Sequence, residues 1–328
     1  MRQETDRFSS EKSESEKLEA GKAGEGKMKK IAVVGSINMD MTVTAERIPL
    51  KGETLRGDSI RLIPGGKGAN QAAAMAKLGA QTEMFGCVGD DSNGSMLLQN
   101  LQKAGVKTEH IKICKDTPTG IAMITVAEND NTIVVVPGAN GRADKAYIDE
   151  IKPYLMEYDM VVLQHEIPLE TVAYVVDFCA ENGIQAVLNP APAAEVPMDV
   201  IEKVTYLTPN EHEAALIFGE GKPAEELLRQ YPEKLIITQG SKGVCACLES
   251  GEILHVPARP AKVADTTGAG DTLNGAFCVR RAAGDDLKSA LLYANTAASL
   301  STEKFGAQAG MPSAEEVEEE LSKGRIER

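Results

Sequence analysis

From Ile31 onward, short runs of nearly continuous apolar residues alternate with longer amphipathic runs, and no other feature limits the fold as much. The short runs are Ile31–Gly35, Glu83–Val88, Met160–Gln164, Gln185–Leu188, Tyr206–Thr208 and Lys234–Thr238. Between them, Ala69–Leu78, Leu97–Ala104, Leu169–Glu181 and Glu211–Phe218 have helical spacing. A strand covered on both faces reads as apolar throughout, and helices joining parallel strands supply the cover. The expected class is therefore α/β, with a central mostly parallel sheet and helices on both faces. Polar, Gly and Pro residues gather where the runs end, at Ser36-Ile37-Asn38, Gly89-Asp90-Asp91, His165-Glu166, Asn189-Pro190, Pro209-Asn210-Glu211 and Gln239-Gly240. Open sheets of this kind bind ligands at the carboxyl ends of their strands, so the chemistry should collect along one edge.

Two regions break the rhythm. Met41–Ala45 and Ser59–Ile63 alternate apolar and polar residues, and Ile121–Ala127 with Ile133–Val136 reads as a hairpin around Glu128-Asn129-Asp130-Asn131. Together they predict a small β-sheet, within about residues 40–64 and 118–137, that acts as a lid, a dimer surface or both. Residues 1–27 are charged and Ser/Gly-rich, which predicts a disordered tail ahead of a 28–328 domain, with Met28 as an alternative start. Gly21 to Met28 half-matches a phosphate-binding P-loop. Met28 stands where Ser or Thr is required and no strand precedes it, so that reading fails.

A formal net charge of −14 argues against nucleic acid and anionic membrane surfaces as main partners. No apolar run approaches the roughly 20 residues of a membrane span, and the start lacks the apolar core of a signal peptide. The scattered Cys87, Cys114, Cys179, Cys245, Cys247 and Cys278 read as reduced thiols of a cytoplasmic protein. Cys245 and Cys247 share one strand face without a Cys/His cluster, which argues against zinc. The Asn93-Gly94-Ser95 sequon has no role in that compartment. The acidic run Glu315–Glu320 reads as a solvated helix face.

Two glycine loops carry the chemistry. Asp265-Thr266-Thr267-Gly268-Ala269-Gly270-Asp271 feeds an amphipathic segment, Thr272 to Ala283. The amides of a helix's first turn can hold an anion, and a carboxylate beside them can take a proton from an attacking hydroxyl. Phosphoryl transfer needs both. Pro64-Gly65-Gly66-Lys67-Gly68-Ala69-Asn70 opens a second helix, its glycines allowing close ligand approach and Lys67 and Asn70 offering donors of the kind a neutral sugar needs. Neither loop has the GxGxxG dinucleotide pattern, which argues against a nicotinamide cofactor.

Gly65 to Ala72 resembles the N-terminal signature of the ribokinase branch of phosphofructokinase-B-type sugar kinases, and Asp265 to Asp271 resembles the family's C-terminal signature. Ser36 to Asp40, Asn189 to Ala193, Thr208 to Glu211 and Thr238 to Gly243 match the branch in order and spacing. The likeness runs from Met28 to about Gly310. It implies a ribokinase-like central sheet with a small β lid that often makes the dimer contact. It also implies ATP-dependent phosphorylation of D-ribose at the 5-hydroxyl, giving ribose 5-phosphate. Asp271 is then the base, and Gly268, Ala269 and Gly270 line the anion hole. Asn38, Asp40, Gly66, Lys67, Gly68, Ala69, Asn70 and Glu166 hold the sugar. Asn210, Glu213, Thr238, Gln239, Gly240, Ser241, Lys242, Gly243 and Asn295 lie on the nucleotide side, with Asn210 and Glu213 near the magnesium water shell and Asn295 near adenine. The resemblance further implies a potassium site at Asp265, Thr267, Ser301, Lys304, Gly306 and Gly310, where Gly310 replaces an expected serine. The implied cofactors are ATP, Mg²⁺ and K⁺, and the implied assembly is a homodimer through the lid. Sibling kinases acting on deoxyribose, a ketohexose or a nucleoside share most of the glycine loop. A non-catalytic sugar sensor on the same fold is a further alternative, opposed by the intact Asp271 turn.

Overall fold

The computed structural model describes residues 30–128 and 130–326; the tail expected at residues 1–27 and Asn129 of the hairpin turn lie outside the described residues. Five strands form a parallel sheet: β1 (Lys30–Val34), β4 (Gln81–Phe85), β9 (Met160–Gln164), β10 (Gln185–Asn189) and β11 (Tyr206–Leu207), in the order β11-β10-β9-β1-β4. Successive strand residues point to opposite faces, and the core divides accordingly. Ile31, Val33, Val162 and Val187 join one cluster, whereas Ala32, Val34, Val161, Leu163, Ala186 and Leu188 join the other. The first cluster takes its cover from helices α1 (Lys67–Lys77), α8 (Ala269–Ala283) and α9 (Leu287–Ser301). The second takes it from α3 (Lys145–Leu155) and α4 (Leu169–Asn182). Both faces of the sheet are thus covered, as continuous apolar strands require.

The interrupting segments form a separate sheet in the order β3-β2-β7-β8, from β2 (Asn38–Thr44), β3 (Ser59–Gly65), β7 (Gly120–Ala127) and β8 (Asp130–Val136). The pairs β2–β3 and β7–β8 are antiparallel, and β2–β7 is parallel. Strand β2 starts three residues earlier than the alternation suggests, because Met39 is buried in the main core and breaks the pattern there. The lid therefore grows directly out of the site segment Asn38 to Asp40.

Two expected strands differ. Glu83–Val88 is broken at Gly86 into β4 and β5 (Cys87–Gly89), and β5 pairs in parallel with β6 (Lys112–Cys114) in a small sheet of its own. Lys234–Thr238 runs parallel to the end of the main sheet on one side and meets an antiparallel neighbour on the other. Its regular part, β12 (Ile236–Thr238), pairs antiparallel with β13 (Val244–Cys247), which pairs with β14 (Ile253–Val256). The parallel bridges Leu207↔Leu235 and Asn210↔Thr238 join this unit to the end of the main sheet. A short apolar run carries no record of the direction of its neighbours, so periodicity could not separate the two cases.

The remaining helices are α2 (Ser92–Lys103), α5 (Met198–Lys203), α6 (Glu211–Phe218), α7 (Ala224–Gln230), α10 (Ala307–Gly310) and α11 (Ala314–Ile326). The acidic run on α11 is not merely solvated: Glu316 pairs with Lys304, Glu318 with Arg280 and Glu320 with Arg259. All six cysteines are free, and Cys245 and Cys247 both face the second core cluster. No helix among the described residues is long and apolar enough to cross a membrane.

Candidate active site

The carboxyl ends of β1, β9, β10, β11 and β12 meet the N-terminal turns of α1 and α8. Gly268 stands before α8 in the left-handed region (φ 78°), and Asp271 falls in the helix's first turn. Gly275, one turn later, lets α8 lie against α1, since a Cβ there would sit 2.7 Å from the Ala74 Cβ. That contact brings Asp271 onto the first turn of α1. Asn70 Nδ2 donates to Asp271 Oδ2 at 2.9 Å, and Gln71 Nε2 donates to Oδ1 at 3.1 Å. Asp271 is buried. Burial raises its pKa above the ordinary carboxylate value, while Lys67, Asn70 and Gln71 oppose the rise.

Behind Asp271 the strand ends are laced together by side-chain amides. Gln71 Nε2 also donates to Asn189 Oδ1, and Gln71 Oε1 accepts from Gln164 Nε2 at 2.7 Å. Asn189 Nδ2 donates to the Thr208 carbonyl. Thr208 Oγ1 donates to Asn274 Oδ1, and Asn274 Nδ2 donates to the Gly270 carbonyl. Strands β9, β10 and β11 are thereby fixed to the glycine turn.

On the other side of Lys67, Glu166 Oε2 accepts from Ser36 Oγ at 2.5 Å, from the Lys67 amide at 3.0 Å and from Asn38 Nδ2 at 3.5 Å. Asn140, just beyond the lid hairpin, holds Asn38 in turn: its Nδ2 donates to Asn38 Oδ1 at 2.6 Å, and its Oδ1 accepts the Ile37 amide. Asp40 has its pKa raised to about 7, by burial first and then by Glu166 and Asp271. Burial alone would lower the Lys67 ammonium, but Asp271, Glu166, Glu213 and Asp40 together hold its pKa above the usual value. One half-buried cation thus sits among carboxylates from β2, the turn after β9, α6 and α8.

The expectation that the second loop's glycines make room for a ligand needs revision. A Cβ on Gly66 would lie 2.7 Å from the Asn38 amide, and one on Gly68 2.6 Å from the Ser36 amide. These glycines let the loop pack on the end of β1. A Cβ on Gly270, by contrast, would meet nothing within 4 Å, so the turn faces open space there. Ala269 departs from a simple anion hole, because its amide already donates to the Thr266 carbonyl at 3.2 Å.

The residues expected on the nucleotide side form a second group. Asn210 and Glu213 make a reciprocal capping box at the start of α6, each backbone amide bonded to the other's side chain at 2.8 Å. Glu213 is buried, and burial raises its pKa against the Asn210 amide and Lys67. Asn210 bridges to Thr238. The turn Gly240–Lys242 is exposed, and Gly243 (φ 102°) lies against the end of β14, where its Cβ would meet the Val256 and Pro257 backbone. Gln239 Nε2 donates to Glu211 at 3.1 Å. Asn295 is buried and spends its amide nitrogen on the Pro257 carbonyl at 2.7 Å, so its donor supports the chain beside this turn.

The third group surrounds Asp265. Its Oδ1 accepts from the Thr267 amide and hydroxyl, and its Oδ2 accepts from the Gly306 amide at 2.9 Å. Burial would raise the Asp265 pKa, but these three donors hold it below the usual range. The Ser301 and Lys304 carbonyls converge on Gly310, where a Cβ would lie 2.6 and 3.2 Å from them. The Lys304 ammonium turns away to Glu316, and Ser301 Oγ donates to the Ala298 carbonyl.

The pfkB family carbohydrate kinase model matches residues 28–314. The chain belongs to that family. A ribokinase of Bacillus subtilis (strain 168) is 49% identical over 295 residues, which are 90% of this chain and 100% of that protein. A deoxyribokinase of Salmonella typhi is 34% identical, over 89% of this chain and 98% of that protein. An Arabidopsis thaliana ribokinase, solved complexed with ribose and ATP, superposes with a TM-score of 0.82 at 30% identity, over 89% of this chain and 98% of that one. The fold expectation of a mostly parallel sheet with a small β sheet therefore holds.

Several residues of the site were absent from the expected set. Gln71 and Asn189 lie inside two of the signature motifs, and Gln71 follows directly on Asn70. Ser36 likewise lies close to Asn38. Asn140, Gln164 and Asn274 carry no local signal, because what marks them is burial beside another polar group distant in sequence, which only the fold supplies.

Proposed function

We propose that this chain is an ATP-dependent sugar kinase that phosphorylates D-ribose at its 5-hydroxyl. The reading rests above all on Asp271, a buried carboxylate held by two amide donors in the first turn of a glycine-capped helix. An Asp cannot strip a proton from an alcohol in advance; Asp271 takes the proton late, as the sugar oxygen attacks the γ-phosphate, and positioning carries much of the effect. Gly268 and Gly270 offer first-turn amides to the transferring group, and Ala269 serves the turn itself. Asn38, Asp40, Lys67, Asn70 and Glu166 meet the sugar hydroxyls. Asn210, Glu213, Thr238 and the Gln239–Gly243 turn meet the nucleotide, and Asn295 supports that turn.

One buried carboxylate and one amide at Glu213 and Asn210 suit a magnesium ion that keeps much of its own water, with charge neutralisation on the β- and γ-phosphates as its contribution. Asp265 and the carbonyls of Ser301, Lys304 and Gly310, with Thr267 and Gly306 beside them, suit a monovalent cation such as potassium. Gly310 fits this reading because a backbone ligand tolerates the lost side chain. Six free, scattered thiols suit a cytoplasmic enzyme. The domain is read as residues 28–328, and its lid as the contact of a homodimer.

Deoxyribose is the nearest competing substrate, given the identity to a deoxyribokinase. An ADP-release assay across ribose, deoxyribose, fructose and adenosine separates these readings. Preference for any other acceptor over ribose would displace the proposal, and no release with any of them would favour a sugar sensor.

A further inference from the structure

Asp271 receives its two donors from amides that are themselves oriented from behind. On the Oδ1 side the chain runs from Gln164 through Gln71. On the Oδ2 side it is longer. Asn100 Nδ2, on α2, donates to Gln308 Oε1 at 2.6 Å; Gln308 Nε2 donates to Asn70 Oδ1 at 3.0 Å; Asn70 Nδ2 donates to Asp271. Lys77 Nζ, at the far end of α1, donates to the Gln308 carbonyl at 2.6 Å. Gln308 is buried and is thus held at both its main chain and its side chain.

The two ends of a side-chain amide have nearly the same shape, so its hydrogen-bond partners alone decide which end faces where. Asn70 has one neighbour, Asp271, that only accepts while ionised, and another, Gln308 Nε2, that only donates. Turning Asn70 over would lose both bonds at once and set an oxygen against a buried carboxylate. We propose that Gln308 is a positioning residue for phosphoryl transfer: its side-chain nitrogen locks Asn70 so that a donor faces Asp271. This rests on Asp271 as the base. Gln308 acts through Asn70, so its effect belongs to turnover and to the ionisation of Asp271. The charged groups facing Asp271 from the surrounding elements are Lys67 on α1, Glu166 after β9 and Asp40 on β2; Glu213 on α6 acts on the same lysine.

The test compares Gln308→Glu, Gln308→Met and Asn100→Asp with Asp271→Asn and the parent enzyme. Gln308→Glu keeps the size and the acceptor but replaces the donor to Asn70. Gln308→Met removes both without adding charge. Asn100→Asp removes the donor behind Gln308 and sets an acceptor against its Oε1, which weakens the orientation of Gln308. Each variant is first checked by far-UV circular dichroism and thermal melting. Folded Gln308→Glu should lose roughly tenfold or more in kcat, the scale of one misdirected buried hydrogen bond, with the KM for ATP nearly unchanged. The acid limb of its kcat–pH profile should move to higher pH, because an ionised Asp271 is disfavoured. Gln308→Met should move the same way by less, and Asn100→Asp by least. If Gln308→Glu does not fold, the other two variants carry the same comparison. Unchanged kcat and acid limb in the folded variants would overturn the proposal. So would a loss of kcat with the acid limb fixed, which indicates a structural role alone. Near-parent turnover in Asp271→Asn would instead remove the base reading itself.

Discussion

The floor of the cleft and the lid above it are held by different physics. On the floor, Gly68 to Gln71 of α1 and Asp271 to Asn274 of α8 are buried, and polar groups there are matched donor to acceptor through Gln71, Asn189, Thr208 and Asn274. The lid has strand pairing but little cover. Ile60 and Val134 are 66% and 64% exposed, and Leu62, Met123 and Ile133 are also exposed. The register places Ile60, Leu62, Met123 and Val134 on one face, and Asp40, Ala122, Ile124, Ile133 and Val135 on the other. The floor can hold its geometry within one chain. The lid has apolar surface left to bury, which suits a partner and a sugar.

The sharpest test of the floor is Asp271→Asn, which preserves the shape and removes the proposed base. Turnover should fall at least about 100-fold, with ribose binding by calorimetry mostly kept. If turnover survives in a pure preparation, the buried network is structural and the comparison collapses.

For the lid, Ile124→Glu places charge on the face shared with Asp40, and Met123→Glu places it on the opposite face. A lid that both dimerises and closes over sugar predicts a weaker dimer by light scattering and a higher ribose KM for the face that serves each purpose. An unchanged dimer and KM in both variants would leave the exposed apolar residues without either role.

A smaller effect is expected from the cation. Replacing sodium by potassium at fixed ionic strength should raise activity, because Asp265 is held ionised beside converging carbonyls. A flat response would empty that reading while leaving the floor intact.

The smallest effect concerns Asp40. Its carboxyl titrates at about 7 in the folded chain and at an ordinary, lower value when unfolded. The folded state therefore binds more proton between those values, and its stability should decline as pH rises through that window and level off above about 7. Thermal melts of the sugar-free protein between pH 5 and 8 should show this decline, and Asp40→Asn should flatten it. An equal slope in the variant would assign the dependence to other groups. Asp271 and Glu213, whose carboxyls burial also pushes up, are the first candidates.

Much of the fold is legible in the chain because the signals are local. A strand buried on both faces must be apolar at every residue, and Ile31 to Val34 and Met160 to Leu163 are. The glycine turns announce themselves because a helix starting at Ala269 after a left-handed Gly268 needs a particular residue at a particular place. What sequence could not decide is pairing. Lys234 to Thr238 has the composition of a parallel strand and bridges in parallel to the end of β11, yet Ile236–Thr238 also pairs antiparallel with β13, and strand direction is a property of contacts. The oriented amides are the stronger case. Asn100 and Gln308 are 208 positions apart, and neither differs locally from any surface amide. Their meaning comes from being desolvated together, where an amide must find partners and thereby loses the freedom to turn. The sequence by itself determined which turn holds the proposed base. The tertiary structure decided which end of each amide faces it, because only burial makes that choice costly to reverse.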